Sequence, residues 1–484
     1  MNFSILLLNN FELFIPEIFF ITSIVLLILY SGLIYSNLSI LTLYTNKIAS
    51  FIVFICFILN FNTYLLNHNF EIFQFNFVVI LKLIILFSVF CCLIFTENFI
   101  LQSFEFSFLI LLSSLGFILL ILSFDLILLY LAIEIQSISF YILSCLKKNS
   151  AFSTEASLKY FILGSLASAL FLFGCSLIYG ITGTINFKDL TTIFINFNDQ
   201  SLLIIGSLFI LSSIFFKLAI APFHFWSPDV YEGSPTIVTA FFSIVPKLSI
   251  FVIYIRFFNN IFYDLPNLIS WWVTYGGLCG FLSILVGSII AIKQTRIKRL
   301  LAYSAISHMG YILIGLIAGN IEGIQSVFFY LIVYIITNIC IWGSILGIKK
   351  IKFISELKNL FLTNPLLIVT LLISFFSLAG VPPLTGFLSK LFVFISTIES
   401  NLYLILLFSV FLSIISTFYY LRLIKIIIFE KSNILNFLES NLIVSYITKF
   451  MSFVITCCFF SLFLLFMFPL PLYLTTYYLT LLSF

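Results

Sequence analysis

Four charged side chains stand inside otherwise apolar runs of this 484-residue chain. They are Glu134 in LLYLAIEIQSISFYIL, Lys217 in LSSIFFKLAIAPFHF, Lys247 in FFSIVPKLSIFVIY and Lys390 in PLTGFLSKLFVFIS. An ionised group at bilayer depth costs at least about 2.5–3.5 kcal/mol, so each needs a partner, water or a task. A carboxylate there must find a cation or take up a proton, and a lysine held away from water gives its proton up more easily. Both residue types therefore suit proton transfer. Lys217 lies about one turn before Pro222, and Lys390 about two turns past Pro383. Buried charge beside helix-breaking prolines points to an ion or proton path.

Further groups lie close in sequence. Lys159, in EASLKYFILGS, opens the apolar run after that of Glu134. It either snorkels to the nearer surface or pairs with Glu134, since consecutive spans usually neighbour each other. His224 falls in the first proline-rich break and His308 in AYSAISHMGY. A near-neutral side chain suits a relay, and a hydrogen-bonded packing role is the alternative for both. Haem ligation by this pair lacks a second pair or an attachment motif. His68 sits in a polar join, Lys82 lies mid-run in FVVILKLIILF, and Asp125 stands at the edge of a run; none is given a role.

The elements that must position these residues are membrane helices. The chain is 62% hydrophobic and 8% charged, where a soluble domain carries roughly 25% charge. Apolar stretches of about 20 residues recur from end to end, too long for strands and without strict alternation. The expected class is all-α, a polytopic membrane protein of about 14 transmembrane helices. The expected spans lie near 13–35, 48–66, 77–95, 106–124, 126–146, 158–180, 201–241, 242–261, 268–292, 301–318, 324–348, 365–397, 402–423 and 448–468. The seventh and twelfth are discontinuous, broken at APFHFWSPDVYEGSP and AGVPPLTG.

Loop charges orient the set. Lys47, Lys147, Lys148, Lys293, Arg296, Lys298, Arg299, Lys349, Lys350, Lys352, Arg422, Lys425 and Lys431 all follow odd-numbered spans. Basic loops mark the cytoplasmic or matrix side, which puts both termini on the outer, positive side. Breaks five spans apart suit two five-helix units of opposite topology, the arrangement transporters use to place ion sites. The expected division is 1–105, a three-helix segment; 106–262 and 263–425, the two repeats; and 426–484, a tail with the last helix.

Several functions are disfavoured. The nine cysteines all fall in apolar runs and form no CxxC pair, which argues against iron–sulfur or zinc ligation. No GxGxxG follows a strand and no GxxxxGK[ST] occurs, so no nucleotide or cofactor site is visible in this chain. A formal net charge of +4 gives no nucleic-acid footprint. The N-terminus MNFSILLLNNFELFIPEIFF has the features of neither a signal peptide nor a transit peptide, so the first helix is expected to insert directly. The 64 Phe, with abundant Ile and Asn, associate the chain with an AT-rich genome: an organelle, hence the mitochondrial inner membrane, or a bacterial plasma membrane.

At IEIQSISFYIL, EASLKYFILGS, FFKLAIAPFHFWSPDVYEGSPT, KRLLAYSAISHMGYILIG and LAGVPPLTGFLSKLFVF the sequence resembles the antiporter-like, proton-pumping membrane subunits of respiratory complex I. Matching order and spacing run from about Asp125 to Phe394. The resemblance implies that Glu134 and Lys159 form a glutamate–lysine pair on the fifth and sixth helices. It gives Lys217, Lys247 and Lys390 the lysine positions of the seventh, eighth and twelfth. It implies a subunit of an NADH:quinone reductase that moves protons while other membrane-arm subunits and their partners hold flavin (FMN), iron–sulfur clusters and quinone. Besides those subunits the expected contacts are membrane lipids, with no soluble substrate. Pro246, directly before Lys247, departs from the family and is expected to bend the eighth helix. Competing readings are a subunit of a multisubunit sodium/proton antiporter, a purely structural membrane subunit, and a stand-alone transporter.

Overall fold

The computed structural model of the chain describes all residues except 1, 34–37, 67–72, 99–104, 148, 195–200, 263–264, 349–350, 359–363, 431–446 and 484. His68, Lys148, Lys349, Lys350 and Lys431 lie outside the described residues. The helices are α1 (Asn2–Leu33), α2 (Leu38–Leu66), α3 (Phe73–Ile94), α4 (Glu105–Leu122), α5 (Leu126–Ser144), α6 (Ala151–Thr182), α7 (Phe187–Phe194), α8 (Ser201–Leu218) and α9 (Trp226–Gly233). They continue with α10 (Thr236–Arg256), α11 (Pro266–Lys293), α12 (Ile297–Ile317), α13 (Ile321–Gly347), α14 (Pro365–Ala379), α15 (Thr385–Glu399), α16 (Tyr403–Phe429), α17 (Lys449–Met467) and α18 (Leu470–Ser483).

Among the described residues, 13 of these helices are long and apolar enough to cross a membrane. The twelfth expected span is two 15-residue helices, α14 and α15, each about 22 Å long and too short to cross a roughly 30 Å core alone. The seventh is likewise α8 followed by the short α9. Three expectations change. The sixth helix begins at Ala151 rather than near Leu158, placing Lys159 two turns inside it. The eighth begins at Thr236, so Lys247 is mid-helix rather than near an end. Beyond the expected last span there is a further helix, α18.

Burial separates centre from rim. In α10, α12 and α13 nearly every side chain is buried, whereas α6, α16 and α17 turn large apolar residues such as Phe161, Leu404, Phe411 and Phe453 outward. With lipid as apolar as leucine, helices associate where small residues let backbones approach. Gly174 of α6 and Gly206 of α8 show this: a Cβ on Gly174 would sit 2.6 Å from the Gly206 carbonyl oxygen.

Both broken helices end in the same way. At α8 the Ala219 amide donates to the Phe216 carbonyl and the Ile220 amide to that of Phe215, each at 3.0 Å. At α14 the Gly380 amide donates to Ser377 (3.0 Å) and the Val381 amide to Phe376 (3.2 Å). These are Schellman ends, which need a left-handed residue just past the helix. Gly380 supplies it at φ 82° without strain, and Ala219 adopts it at φ 60° despite its Cβ. The turns leave the carbonyls of Leu218 and Ala379 pointing out of their helices at membrane depth.

Two short backbone bridges also match. Asp125, before α5, pairs with Asn186, after α6. Arg296, before α12, pairs with Phe353, after α13. In the first, Leu126 donates to Ile185 and Phe187 to Phe124; in the second, Ile297 donates to Lys352 and Ile354 to Thr295.

Candidate functional site

An orphan carbonyl inside a bilayer costs several kcal/mol unless covered. Lys247 covers the first: its Nζ donates to the Leu218 oxygen at 2.8 Å. Lys390 covers the second, donating to the Ala379 oxygen at 2.8 Å. A cation also suits the negative end of each half-helix. Gly380 makes the second contact possible, because a Cβ there would lie 2.9 Å from Lys390 Cδ. Gly386 lets α15 start against the end of α14, where a Cβ would fall 1.7 Å from the Ser377 oxygen.

Lys247 is only 1% exposed, so it does not snorkel. Pro246 sits inside a continuous α10 and cannot donate to the Phe242 carbonyl. The Tyr231 hydroxyl of α9 donates to that carbonyl instead, at 3.4 Å. The carbonyl that Pro246 leaves free thus has a substitute donor. Trp226 serves the first break similarly, its Nε1 donating to the Phe216 oxygen at 2.8 Å.

Lys217 differs from the other two lysines. Its buried Nζ has no hydrogen-bond partner among the described residues and lies 5.9 Å from the centre of the Tyr141 ring. Glu134 is near enough to act on it electrostatically. The Glu134 carboxylate accepts from Ser137 at 3.2 Å through Oε2, while its buried Oε1 has no hydrogen-bond partner among the described residues. Glu134, Ser137 and Tyr141 fall on one face of α5, as spacings of three and four require. A cleft beside Lys217 is lined in part by Gln136, Ser168 and Ser213. His224 is buried in the break, and its Nδ1 has no hydrogen-bond partner among the described residues.

The second break is better bonded. His308 is buried, with Nδ1 2.7 Å from the Tyr330 hydroxyl and Nε2 2.9 Å from that of Tyr420. Lys390 acts on His308 electrostatically, and its Nζ lies 5.4 Å from the Tyr311 ring centre. The Tyr334 ring lies 5.7 Å from His308, and its hydroxyl is within electrostatic reach of Tyr231. Tyrosines thus run from the Pro246 region to Lys390.

The expected Glu134–Lys159 pair is not made. Lys159 bonds Glu155 at 2.7 Å and Asp229 at 3.0 Å, with 45% of its side chain exposed. The reason is rotational: Glu155 stands one turn earlier on the same face of α6, and α9 brings Asp229 to that face. Asp229 also accepts from Arg299 at 3.1 Å, and Glu232 pairs with Arg296 and Arg299. Lys298 donates to the Ser234 oxygen at 2.6 Å. Charges just before and within the first turn of α12 therefore clamp α9.

Sequence reasoning missed Tyr141, Tyr231, Tyr311, Tyr330, Tyr420 and Asp229. Only the motif DVYEG, where two acids and a tyrosine follow a break, marked any of them. It also missed Glu17, which pairs with Lys82. Asp125 caps no amide with its side chain. Among the described residues, no three His, Cys, Asp or Glu side chains group as metal ligands.

The chain is similar in sequence and in fold to known proteins. Residues 123–416 match the family model described as NADH:quinone oxidoreductase/Mrp antiporter, TM. The chain is 44% identical over 347 residues to NADH-ubiquinone oxidoreductase chain 2 of Marchantia polymorpha, covering 70% of each. It is 38% identical over 337 residues to NADH-quinone oxidoreductase subunit N of Paramagnetospirillum magneticum, covering 68% of this chain and 69% of that one. A chain of respiratory complex I from Thermus thermophilus superposes with a TM-score of 0.78 at 26% identity, over 95% of this chain and 98% of that one.

Proposed function

The chain belongs to the NADH:quinone oxidoreductase/Mrp antiporter family of membrane subunits, and from that premise we propose that Glu134, Lys217, Lys247, His308 and Lys390 carry protons through it. It is a membrane-arm subunit of a proton-translocating NADH:quinone oxidoreductase type of complex and associates with other membrane-arm subunits. FMN, iron–sulfur clusters and quinone belong to partner subunits, and the chain's own part is to move protons.

The observation that carries the reading is the pairing of two lysine-capped helix breaks with one lysine, Lys217, that caps nothing. A lysine engaged with a carbonyl is held in place; one over an aromatic face beside a carboxylate is free to load and unload. A proton from the basic side reaches Lys217 through the cleft at Gln136, Ser168 and Ser213. The charge on Glu134 sets how firmly Lys217 holds it, since Coulomb coupling is strong away from water. The proton then passes Lys247, the tyrosines and His308 to Lys390, and leaves on the outer side. Lys159 enters this scheme only by leaving Asp229, and His224 flanks it.

The finer architecture is part of the proposal: two inverted five-helix repeats, 106–262 and 263–425, after a three-helix segment, 1–105, and before 426–484. Support comes from the matched backbone bridges Asp125–Asn186 and Arg296–Phe353 and the matched Schellman ends. The proposed location is the mitochondrial inner membrane, in line with the AT-rich composition.

The test is purification of the chain in its native complex from its membrane. Flavin, iron–sulfur clusters and NADH:quinone reductase activity should accompany it. Sodium-dependent proton exchange without those groups would assign it instead to the sodium/proton antiporter branch. A complex lacking the chain that still pumps fully would leave it only a bracing role.

A further inference from the structure

The second half of the first broken helix, α9, is held from two sides by different kinds of bond. At about 100° per residue Asp229 and Glu232 share one face of this eight-residue helix, and Trp226 and Tyr231 project from the other. The aromatic pair is buried and bonds backbone. Trp226 donates to the Phe216 oxygen at the end of α8, and Tyr231 to the Phe242 oxygen that Pro246 leaves free in α10. Directly after Phe216 come Lys217 and then Leu218, whose oxygen accepts from Lys247. Whatever fixes α9 therefore fixes the surroundings of both lysines.

The acidic pair meets cations from two other helices. Asp229 divides its carboxylate, Oδ2 pairing with Lys159 of α6 and Oδ1 with Arg299 of α12. Arg299 also reaches Glu232 with its Nε at 3.3 Å, and Arg296, just before α12, pairs with the same carboxylate. Lys298 holds the Ser234 carbonyl at the end of α9. On the α6 side Gly233 permits close contact, since a Cβ there would lie 2.5 Å from the Phe152 oxygen. α9 is thus wedged between α6 and α12, and α12 also carries His308. The side chains of Arg296, Arg299, Asp229 and Glu232 are 17–41% exposed. Pairs so exposed add little to stability, whereas complementary charge fixes register.

On the basis of the proton path proposed above, we infer that Arg296 and Arg299 are positioning residues for proton transfer at the first break. They act through α9: by fixing its acidic face they set where Trp226 and Tyr231 place their donors, and so where the Leu218 carbonyl and the ammonium groups of Lys217 and Lys247 lie. Arg299 suits the task because its planar fork spans both acids, which a compact ammonium does less well. Because the arginines move with α12, a shift of the helix that bears His308 reaches the lysines of the other break.

The test is hydrogen–deuterium exchange of segment 216–235 in the complete complex, measured beside the proton yield per NADH. Arg299→Gln should raise exchange there at least about tenfold, the sign of local opening, and lower the proton yield. Arg299→Lys, which keeps the charge, should recover part of both. In the unaltered complex, raising salt from about 0.05 to about 0.5 M should also raise exchange in this segment, since half-exposed pairs are screened. Unchanged exchange in Arg299→Gln overturns the proposal. Raised exchange with an unaltered proton yield overturns it too, leaving the arginines a structural role alone. If Arg299→Gln fails to assemble, the salt response of the unaltered complex decides. Exchange requires no transport, so failure of this fastening and failure of the proton path, which Lys217→Met tests, are told apart.

Discussion

At the first break Lys247, from the next helix, covers the Leu218 carbonyl, while at the second Lys390, from the broken helix itself, covers that of Ala379. The same vacancy is filled from different elements, so backbone geometry fixes where the cation must go and not which helix supplies it. Around these caps the two regions diverge. Among the described residues the first holds Lys217 Nζ, Glu134 Oε1 and His224 Nδ1 without hydrogen-bond partners, whereas in the second both nitrogens of His308 and the ammonium of Lys390 are engaged and the unpartnered groups are the neutral hydroxyls of Thr385, Tyr334 and Tyr419. An under-bonded cluster changes protonation state with little reorganisation; a bonded one holds a fixed geometry. In the proposed scheme the first break loads the proton and the second passes it on.

Substitutions can break or sharpen that contrast. Gly386→Ala should have the largest effect, because its Cβ would overlap the Ser377 carbonyl and the two halves of the twelfth helix would be forced apart. Loss of the chain from the assembled complex, read by native gel, is expected; normal assembly would mean that this junction yields easily. Next, His308→Ala should cost about 1–3 kcal/mol by leaving the Tyr330 hydroxyl unpaired. His224→Ala should cost clearly less. Thermal unfolding in detergent ranks the pair, and equal losses would erase the distinction between the sites.

Lys247→Met should cost about 1–3 kcal/mol in the same assay by baring the Leu218 carbonyl. Pumping that survives this change would reduce Lys247 to a cap. The smallest effect is expected from Ala219→Gly. Relieving a Cβ at positive φ should stabilise the first break by up to about 1 kcal/mol, a small rise in unfolding temperature. A fall would show that the Ala219 methyl packs favourably.

Much of this site was legible in the sequence, for identifiable reasons. Glu134, Lys217, Lys247 and Lys390 stood out because charge is rare in apolar runs, and the breaks because proline cannot continue a helix. Their acceptors were not legible: Leu218 and Ala379 contribute backbone oxygens, which carry no residue signature. Tyr141, Tyr311, Tyr330 and Tyr420 were hidden among 23 tyrosines, since their roles depend on helix rotation. Rotation also misled the pairing of Lys159, where adjacency of helices suggested Glu134 and the face of α6 chose Glu155 and Asp229. Span ends drifted because helices continue into polar sequence beyond the apolar run, as the early start of α6 through Ser153, Thr154 and Glu155 illustrates.

Lys217 has no hydrogen-bond partner for its ammonium among the described residues, so it should be dispensable for folding, and the proposed path makes it required for transport. Lys217→Met in the assembled complex, reconstituted in vesicles, allows proton release to be measured against NADH:quinone turnover. The account predicts wild-type assembly with proton translocation reduced at least about tenfold, as expected when a proton-transfer group is removed. Wild-type pumping by this variant would contradict it.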